Sequence, residues 1–379
     1  MKLSCLQENL SRGLNLVGRV AAARTTLPIT NNVLLTTDQG RLKLVATNLE
    51  LAVSCWLGAK IDEEGTITAP AKLLTEFVGS LPADKIDLTV TPKGKTLNLK
   101  CARFEARVNG VDAKEFPPVP KIDDGIVTKI GLPAFRQAVS QVVFAAAANE
   151  ARPVLTGVNA EFEGKTLTLA AADGFRLAVH KLPLAKAVEQ KCVVIIPART
   201  MAEVSRLAGD QDETIEVRVN EQKSQIMFRF KDIEIVSQLV MGTFPQYSQL
   251  IPQSSDTRAV VDAGQFLRAT KTASIFARDG SGIVRLIITP SAGDDVTPGK
   301  LSVSAHAEEV GDDTGEIDAI VQGNEAKIAF NGRYLTDLLS ILKEEQLALE
   351  VTTPSSPGVF KPVGSDNYIH VIMPMFVQW

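Results

Sequence analysis

Apolar residues near the start of the chain recur at three- and four-residue steps. Leu6, Leu10, Leu14, Val17 and Val20 form a stripe, the pattern of a helix with one buried face. The same period returns at Leu132, Phe135, Val139, Val142 and Val143, and again at Phe266, Leu267, Ala269, Thr270 and Ala273. After each stripe the pattern changes to alternation, the period of half-buried strands. One such run, Leu167-Thr-Leu-Ala-Ala, ends at Asp173-Gly174. That pair is a turn signal, and beyond it Phe175, Arg176, Leu177 and Val179 emerge on the far side. Related strand–turn–strand units lie at 42–53 (LKLVATNLELAV) and 301–310 (LSVSAHAEEV). Three copies of one unit point to a repeat architecture.

A second helix follows in each third, and its start is shared. The three starts read Ala69-Pro-Ala-Lys-Leu-Leu-Thr-Glu, Ile196-Pro-Ala-Arg-Thr-Met-Ala-Glu and Phe330-Asn-Gly-Arg-Tyr-Leu-Thr-Asp. Pro70 and Pro197 lie 127 residues apart, and Asn331 follows 134 later. Proline suits a helix start and asparagine suits a cap, so one can replace the other. Each third closes with alternating strands, at 86–99, 215–230 and 347–360. The first two then end in matching turns, Glu115-Phe-Pro-Pro and Thr243-Phe-Pro-Gln, and the third in His370-Val-Ile-Met-Pro-Met. The pattern predicts an α+β protein of three repeated domains, 1–121, 128–252 and 256–379, with linkers over 118–128 and 252–257.

Composition narrows the setting. A hydrophobic content of 45% with 22% charged residues over 379 residues reads as soluble, globular and long enough for real cores. No apolar run reaches the length of a spanning helix, and the first residues lack a signal-peptide core, so the expected location is the cytoplasm. Cys5, Cys55, Cys101 and Cys192 are far apart and form no CxxC pair, which predicts buried thiols in a reducing compartment. The net charge of −4 argues against a protein that grips DNA mainly by charge, and an aromatic content of 5% against base-stacking platforms.

Five motifs stand in a fixed order: Thr26-Leu-Pro-Ile, Ala172-Asp-Gly-Phe-Arg-Leu-Ala, Phe244-Pro-Gln-Tyr, Phe330-Asn-Gly-Arg-Tyr-Leu and Val371-Ile-Met-Pro-Met. In this order, over a threefold repeat, the chain resembles the bacterial DNA sliding clamp, the beta subunit of the replicative DNA polymerase III. The resemblance implies clamp-type domains, each with two helices backed by antiparallel sheets, and a head-to-tail homodimer whose six domains close into a ring around double-stranded DNA. The ring would be a non-catalytic processivity factor that tethers the polymerase alpha subunit, the clamp loader and other proteins bearing a clamp-binding motif. It implies neither a cofactor nor a membrane. A ring holds DNA by topology, so the acidic net charge is no obstacle. Candidate pore-facing cations are Arg12, Arg19, Arg24, Lys72, Arg136, Arg199, Arg206, Arg268 and Lys271. Arg24 matches a DNA-contacting arginine of the family. Loose, water-mediated phosphate contacts would permit sliding.

The resemblance also implies one client pocket per subunit. Its walls would be Arg152, Leu155, Ala172, Gly174, Phe175, Arg176 and Leu177 from the second third, and Pro245, Gln249 and Leu250 near the linker. Asn331, Tyr334, Pro357, Val371, Ile372, Met373, Pro374 and Met375 would come from the last third. A greasy cleft with methionine as adaptable filler suits a short apolar peptide. Ala172, Phe175 and Gln249 depart from the family's usual threonine, histidine or tyrosine, and arginine. Pro153-Val154 replace aromatic residues, and the tail Phe376-Val-Gln-Trp replaces a basic ending. That tail is expected to line or partly cover the pocket. At the subunit joint, Ala106 and Val108 on an edge strand would face Ile275 and Phe276, with Arg103 near Glu308 or Glu309 and Phe276 as the main anchor.

Other chemistries fare poorly. Gly94-Lys-Thr and Gly164-Lys-Thr lack the preceding glycine of a phosphate loop and read as hairpin turns. Asp294-Asp295 and Asp312-Asp313 are expected in glycine-rich loops without a third metal ligand. His180, His306 and His370 are scattered, with no nucleophile motif around them. The alternative reading is a peptide-binding scaffold that does not encircle DNA.

Overall fold

The computed structural model describes residues 1–21, 27–91, 95–149, 151–209, 213–277, 281–291, 298–309 and 311–379. One order of elements runs through it three times, with one added strand, the fifth, in the first repeat. The first repeat holds β1 (Lys2–Leu6), α1 (Gln7–Ala21), β2 (Asn32–Asp38), β3 (Arg41–Thr47), β4 (Leu51–Gly58), β5 (Lys60–Glu63), β6 (Thr66–Pro70), α2 (Ala71–Ser80), β7 (Lys85–Val90), β8 (Thr96–Cys101) and β9 (Phe104–Asn109). The second holds β10 (Ile126–Gly131), α3 (Leu132–Val142), β11 (Gly157–Glu163), β12 (Thr166–Ala172), β13 (Arg176–Pro183), β14 (Cys192–Pro197), α4 (Ala198–Ala208), β15 (Thr214–Val219), β16 (Gln225–Phe230) and β17 (Ile233–Gln238). The third holds β18 (Thr257–Asp262), α5 (Ala263–Ala277), β19 (Ile283–Thr289), β20 (Gly299–Ala307), β21 (Gly311–Gly323), β22 (Ala326–Asn331), α6 (Gly332–Ile341), β23 (Gln346–Val351), β24 (Gly358–Pro362) and β25 (Tyr368–Ile372).

By compactness the chain divides into two units, Met1–Pro133 with Glu203–Leu239, and Ala134–Ala202 with Val240–Trp379. The first unit contains a five-stranded sheet, β5-β1-β7-β8-β9, and an eight-stranded sheet, β10-β15-β16-β17-β4-β3-β2-β6. The second contains a twelve-stranded sheet, β14-β11-β12-β13-β25-β24-β23-β18-β21-β20-β19-β22. Every pairing is antiparallel. Three repeats give two units because sheets cross the repeat boundaries. The last strand of the second repeat pairs with the fourth strand of the first, Ile233 opposite Cys55 and Ser237 opposite Leu51. The last strand of the third pairs with the fourth strand of the second, Arg176 opposite Ile372 and His180 opposite Tyr368.

The helical stripes become buried faces. Leu10, Leu14, Val17 and Val20 of α1 are buried, each Leu or Val contributing about 2 kcal/mol from apolar burial. Leu6 departs from that expectation: it ends β1 and is 57% exposed. A Cβ on Gly13 would come within 2.8 Å of Leu57 Cδ1, so glycine lets α1 lie close on the sheet. Phe266, Thr270 and Ala273 form the buried face of α5. Pro70 and Pro197 end the strands that lead into α2 and α4. Asn331 caps α6 by accepting the Arg333 N–H at 2.9 Å, the reciprocal solution to the same start. Cys5, Cys55, Cys101 and Cys192 are buried thiols; burial pushes Cys5 up to about 12 and Cys55 to about 11. Asp312-Asp313 lie within β21 rather than in a loop, because that run alternates across a sheet. Gly94 and Asp294-Asp295 fall outside the described residues. Among the described residues, no helix is long and apolar enough to cross a membrane, and no three metal-ligating side chains cluster.

Candidate functional sites

Within the second unit, the joint between β13 and β25 brings most of the expected pocket residues together. Leu177 lies opposite Val371, and both join a buried cluster with Ala170, Val179 and Val359, on which Ala172, Tyr247 and Ile251 pack. A second cluster of Leu155, Ile195 and Phe244 is flanked by the same Ala172 and Tyr247. The two clusters are therefore neighbours on one apolar floor. Leu155, Leu177, Val371 and Ile372 are almost fully buried, so they support that floor from below. Phe175 (58% exposed), Met373 (41%) and Leu250 (50%) are the members with apolar surface to offer. Met373 is held at the turn by donating its N–H to Phe175 O at 2.8 Å.

Arg176 does something different from what the sequence implies. Its side chain is only 9% exposed, with Nε 3.0 Å from Asp173 Oδ2 and Nη1 2.7 Å from Asp337 Oδ2. The guanidinium also stacks over Tyr334, 4.6 Å from the ring centre, and over Phe144 at 5.2 Å. Two carboxylates and two rings saturate it. Arg176 therefore ties the β12–β13 turn to α6 and orients Tyr334, which in turn stacks with Phe175 at 6.5 Å. Asp337 and Phe144 were not legible as site residues. Asp337 sits 161 residues from its partner, and its one local sign is a place three residues after Tyr334 on α6.

Beside this hub lies an open cavity of about 300 Å³, lined by Ala147, Ala148, Asn149, Ala151, Arg152, Asp173, Phe175 and Tyr334. Gly174 turns the chain at φ 97°, with the Arg152 guanidinium 3.4 Å from where its Cβ would stand. Behind it runs a buried polar chain. His370 stacks on Phe144 at 5.4 Å and its Nδ1 lies 3.2 Å from Tyr368 Oη. His180 Nδ1 donates to Gln141 Oε1 at 2.7 Å. Burial pushes His180 down to about 4, against the Glu344 carboxylate. Burial and the nearby Arg176 charge push His370 down to about 3. Both are neutral at physiological pH.

Other expected wall residues are outside the lining of this cavity. Asn331 is occupied as the α6 cap. Pro357 is half-buried before β24, and Pro245 and Gln249 are exposed on either side of Tyr247. The tail does not line the cavity beside Arg152; Trp379 lies instead in a separate space with Asp256, Thr257 and Lys327.

The predicted joint residues occupy two edges. Ala106 and Val108 lie on β9, the terminal strand of the five-stranded sheet, with Arg103 exposed just before it. Val108 is 4% exposed and faces the core, whereas Phe104 is 53% exposed. At the end of α5, Ile275 is 59% exposed and Phe276 half-buried. The larger apolar surfaces are thus Phe104 and Ile275 rather than Phe276. Glu308 and Glu309 are exposed in the β20–β21 turn.

Family models of the DNA polymerase III beta subunit match the chain in three consecutive pieces. The N-terminal domain model covers residues 1–120, the central domain model 129–246 and the C-terminal domain model 248–376. The beta sliding clamp of Synechocystis sp. is 30% identical over 396 residues, covering 99% of each chain. The chain belongs to the beta sliding clamp family. A DNA polymerase sliding clamp from Bacillus subtilis matches the fold with a TM-score of 0.93 at 26% identity, over 100% of both chains. A sliding clamp from Pseudomonas aeruginosa, solved bound to griselimycin, matches with a TM-score of 0.91 at 28% identity, again over 100% of both. Sliding clamps are non-catalytic subunits of the polymerase, and the three clamp domains account for both helices and sheets of every repeat.

On this clamp the expected DNA-facing cations separate by their neighbours. Arg12 and Arg19 are exposed on α1, Lys72 on α2, Arg199 on α4, and Arg268 and Lys271 on α5. Arg136 on α3 is half-buried. Arg206 is committed: Nε and Nη2 reach Glu203 at 2.9 and 2.5 Å, and Nη2 lies 3.5 Å from Leu16 O. Arg24 lies outside the described residues.

Proposed function

We propose that two copies of this chain join head to tail into a ring that encircles double-stranded DNA and recruits clients through the apolar cleft at the β13–β25 joint. The observation that carries the reading is an unpaired remainder. Twice within the chain, the last strand of one repeat pairs with the fourth strand of the repeat before it. Two strands of the same kind are left over: β9, the last strand of the first repeat, and β21, the fourth strand of the third. Residues 311–318 of β21 pair with β20 alone among the described strands. A second copy supplies each edge with the partner that the repeat demands, and a heterologous contact that closes makes a ring. Applying the internal joints' pairing sets Arg107 near Asp312 and Asp313, opposite in charge, with Phe104 and Ile275 as apolar contacts.

The domains of this ring are 1–121, 128–252 and 256–379 in each copy. Arg12, Arg19, Arg24, Lys72, Arg199, Arg268 and Lys271 supply loose phosphate contacts, with Arg136 and Arg206 secondary. The clients are the polymerase alpha subunit, the clamp loader and proteins with clamp-binding motifs, all cytoplasmic. The griselimycin-bound relative supports a ligand-accepting cleft.

The test loads the protein onto nicked circular DNA with a clamp loader and ATP, then filters it in high salt before and after linearisation. Retention on circles and loss from linear DNA is the expected result, since salt strips charge-held protein from both. Equal loss from both, with a loader active on its own clamp, leaves a peptide-binding scaffold as the reading. A native mass equal to the 40.7 kDa of one chain would also overturn it.

A further inference from the structure

The apolar floor of the cleft carries a polar interruption. Asn159 stands on β11 between Ile195 of β14 and Ala170 of β12, opposite each in the antiparallel register. Residues opposite one another share a face of the sheet. Asn159 therefore lies on the face of the two buried clusters, with Ile195 in one and Ala170 in the other. It is 4% exposed, and its Oδ1 is buried with no hydrogen-bond partner among the described residues. A buried oxygen left unpaired in apolar surroundings weakens the fold. Valine or leucine at this position would complete the floor without that penalty.

Tyr247 lies over the same place. Its ring packs on both clusters and meets Phe244 edge-on at 6.3 Å. Burial, and after it the Glu161 carboxylate, hold its phenol above the ordinary value, with Lys191 opposing. Glu161 follows Asn159 by two residues on the same face of β11, so the ring crosses β11 at Asn159 and shields Oδ1 from water. The cover is lightly held. From Pro245 to Leu250, every residue except Tyr247 is exposed, and segments fixed by few buried side chains open at low free energy.

We propose that Asn159 is a specificity-determining residue of the client cleft: when a client peptide lifts Tyr247, the uncovered Asn159 amide selects a hydroxyl side chain over an apolar one of the same shape. This rests on the client-cleft reading and deepens it. The occupant is a peptide whose apolar anchors are accompanied by a serine or threonine that reaches the floor. A hydroxyl fits because it both donates and accepts, and so pairs with the amide either way round. The unpaired oxygen gives up no water when the bond forms, and a peptide without the hydroxyl leaves it unpaired.

The experiment uses a fluorescent decapeptide bearing a clamp-binding motif, and variants of it with threonine or valine at one position at a time. The two side chains match in shape, so the ratio of their affinities isolates the hydrogen bond. At one position the full-length parent is expected to bind threonine about tenfold more tightly than valine, as one buried hydrogen bond allows. Asn159→Val and Asn159→Ala each bring that ratio to one or below. Tyr247→Ala narrows it, since water then reaches Oδ1 before the peptide does. An asparagine that only shaped the strand would shift both affinities together and leave the ratio intact. A ratio near one at every position in the parent, or a tenfold ratio that survives both Asn159 variants, overturns the proposal and leaves the cleft. Failure of every peptide to bind the parent removes the cleft reading and the proposal with it.

Discussion

The two internal joints share one backbone and diverge in chemistry. At each, a last strand pairs with a fourth strand over five residues, Leu51 standing where Arg176 stands and Ser237 where Ile372 stands. The first joint is sealed. Val119 and Ile122 of the linker pack on Met227 and Val236, leaving about 90 Å³ among Ala52, Val236 and residues 117–120, well below the roughly 300 Å³ at which ligand pockets begin. Its rim positions are Glu50 and Gln238. At the second joint the same rim positions are Phe175 and Met373, over a floor of Leu177 and Val371. The fold therefore supplies two equivalent places, and the side chains at one turn and one strand end leave exposed apolar surface at the second alone of the two. Fold does not imply function at this scale either.

The largest expected difference between the two units is their response to acid. His180, His306 and His370 all belong to the second unit, and two of them are held neutral at about 4 and about 3 by burial. Because both folded values lie below the ordinary 6.5, the unfolded chain takes up protons first. The stabilisation is complete above pH 6.5 and is lost as pH falls towards the folded values. The slope is about 1.4 kcal/mol per pH unit for each histidine, or up to about 4 kcal/mol between pH 6.5 and 5. Hydrogen exchange across that window should loosen the second unit and spare the first. Equal loosening in both would show that the histidines do not govern it.

A smaller effect converts the second joint's hub to the first joint's solution. Arg176→Leu places the Leu51 residue type between Asp173 and Asp337 and leaves both carboxylates without their cation. Breaking a buried pair this way costs about 3 kcal/mol, tempered here because Asp337 is 34% exposed. Replacing both carboxylates as well, with Asp173→Asn and Asp337→Asn, should recover at least half, since apolar or neutral replacements of a whole ion-pair group are well tolerated. Thermal unfolding of the single and triple variants measures both. A triple variant no more stable than the single would mean that Arg176 contributes through its rings, Phe144 and Tyr334, rather than its charges.

The joints also mark what the sequence could and could not convey. Repetition was legible because helices, turn signals and closing Phe-Pro pairs recur at a near-constant spacing, and hydrophobic periodicity is local information. The apolar strand residues Leu177 and Val371 were legible as members of one place through the family resemblance. The role of Arg176 was not. Its two ring partners and one of its carboxylates lie on other elements, and Tyr334 and Asp337, on α6 of the next repeat, are within reach only through the joint of β13 with β25. Charged and polar residues at a motif read as contacts, yet burial made this one a support. At the expected subunit joint, helix phase leaves Ile275 more exposed than Phe276, and only the strand's edge position shows Phe104. The tail read as a pocket lining from its composition, whereas the open edge of β22 directs it elsewhere.

The smallest predicted effect tests the shared turn. Asp173 Oδ1 accepts the N–H groups of Phe175 and Arg176 at 2.9 and 3.0 Å. Asn48 Oδ1 accepts those of Glu50 and Leu51 at 3.1 and 2.8 Å. Both turns then need a positive φ at the following residue, 97° at Gly174 and 78° at Leu49. The second joint meets that need with glycine and the first with a residue that resists it. Substitutions at the two sites should therefore differ in sign. Gly174→Ala is expected to destabilise by about 1 kcal/mol, because an L side chain there is strained. Leu49→Gly is expected to stabilise by roughly 0.5 kcal/mol, the relief of a left-handed leucine exceeding the entropy that glycine adds to the unfolded chain. Leu49 is 48% exposed, so its loss removes little packing. Shifts of opposite sign in thermal unfolding would establish that one backbone constraint governs both turns. A destabilising Leu49→Gly would mean that the first joint's turn is held by its side chain and that the two joints differ in backbone requirement as well as in chemistry.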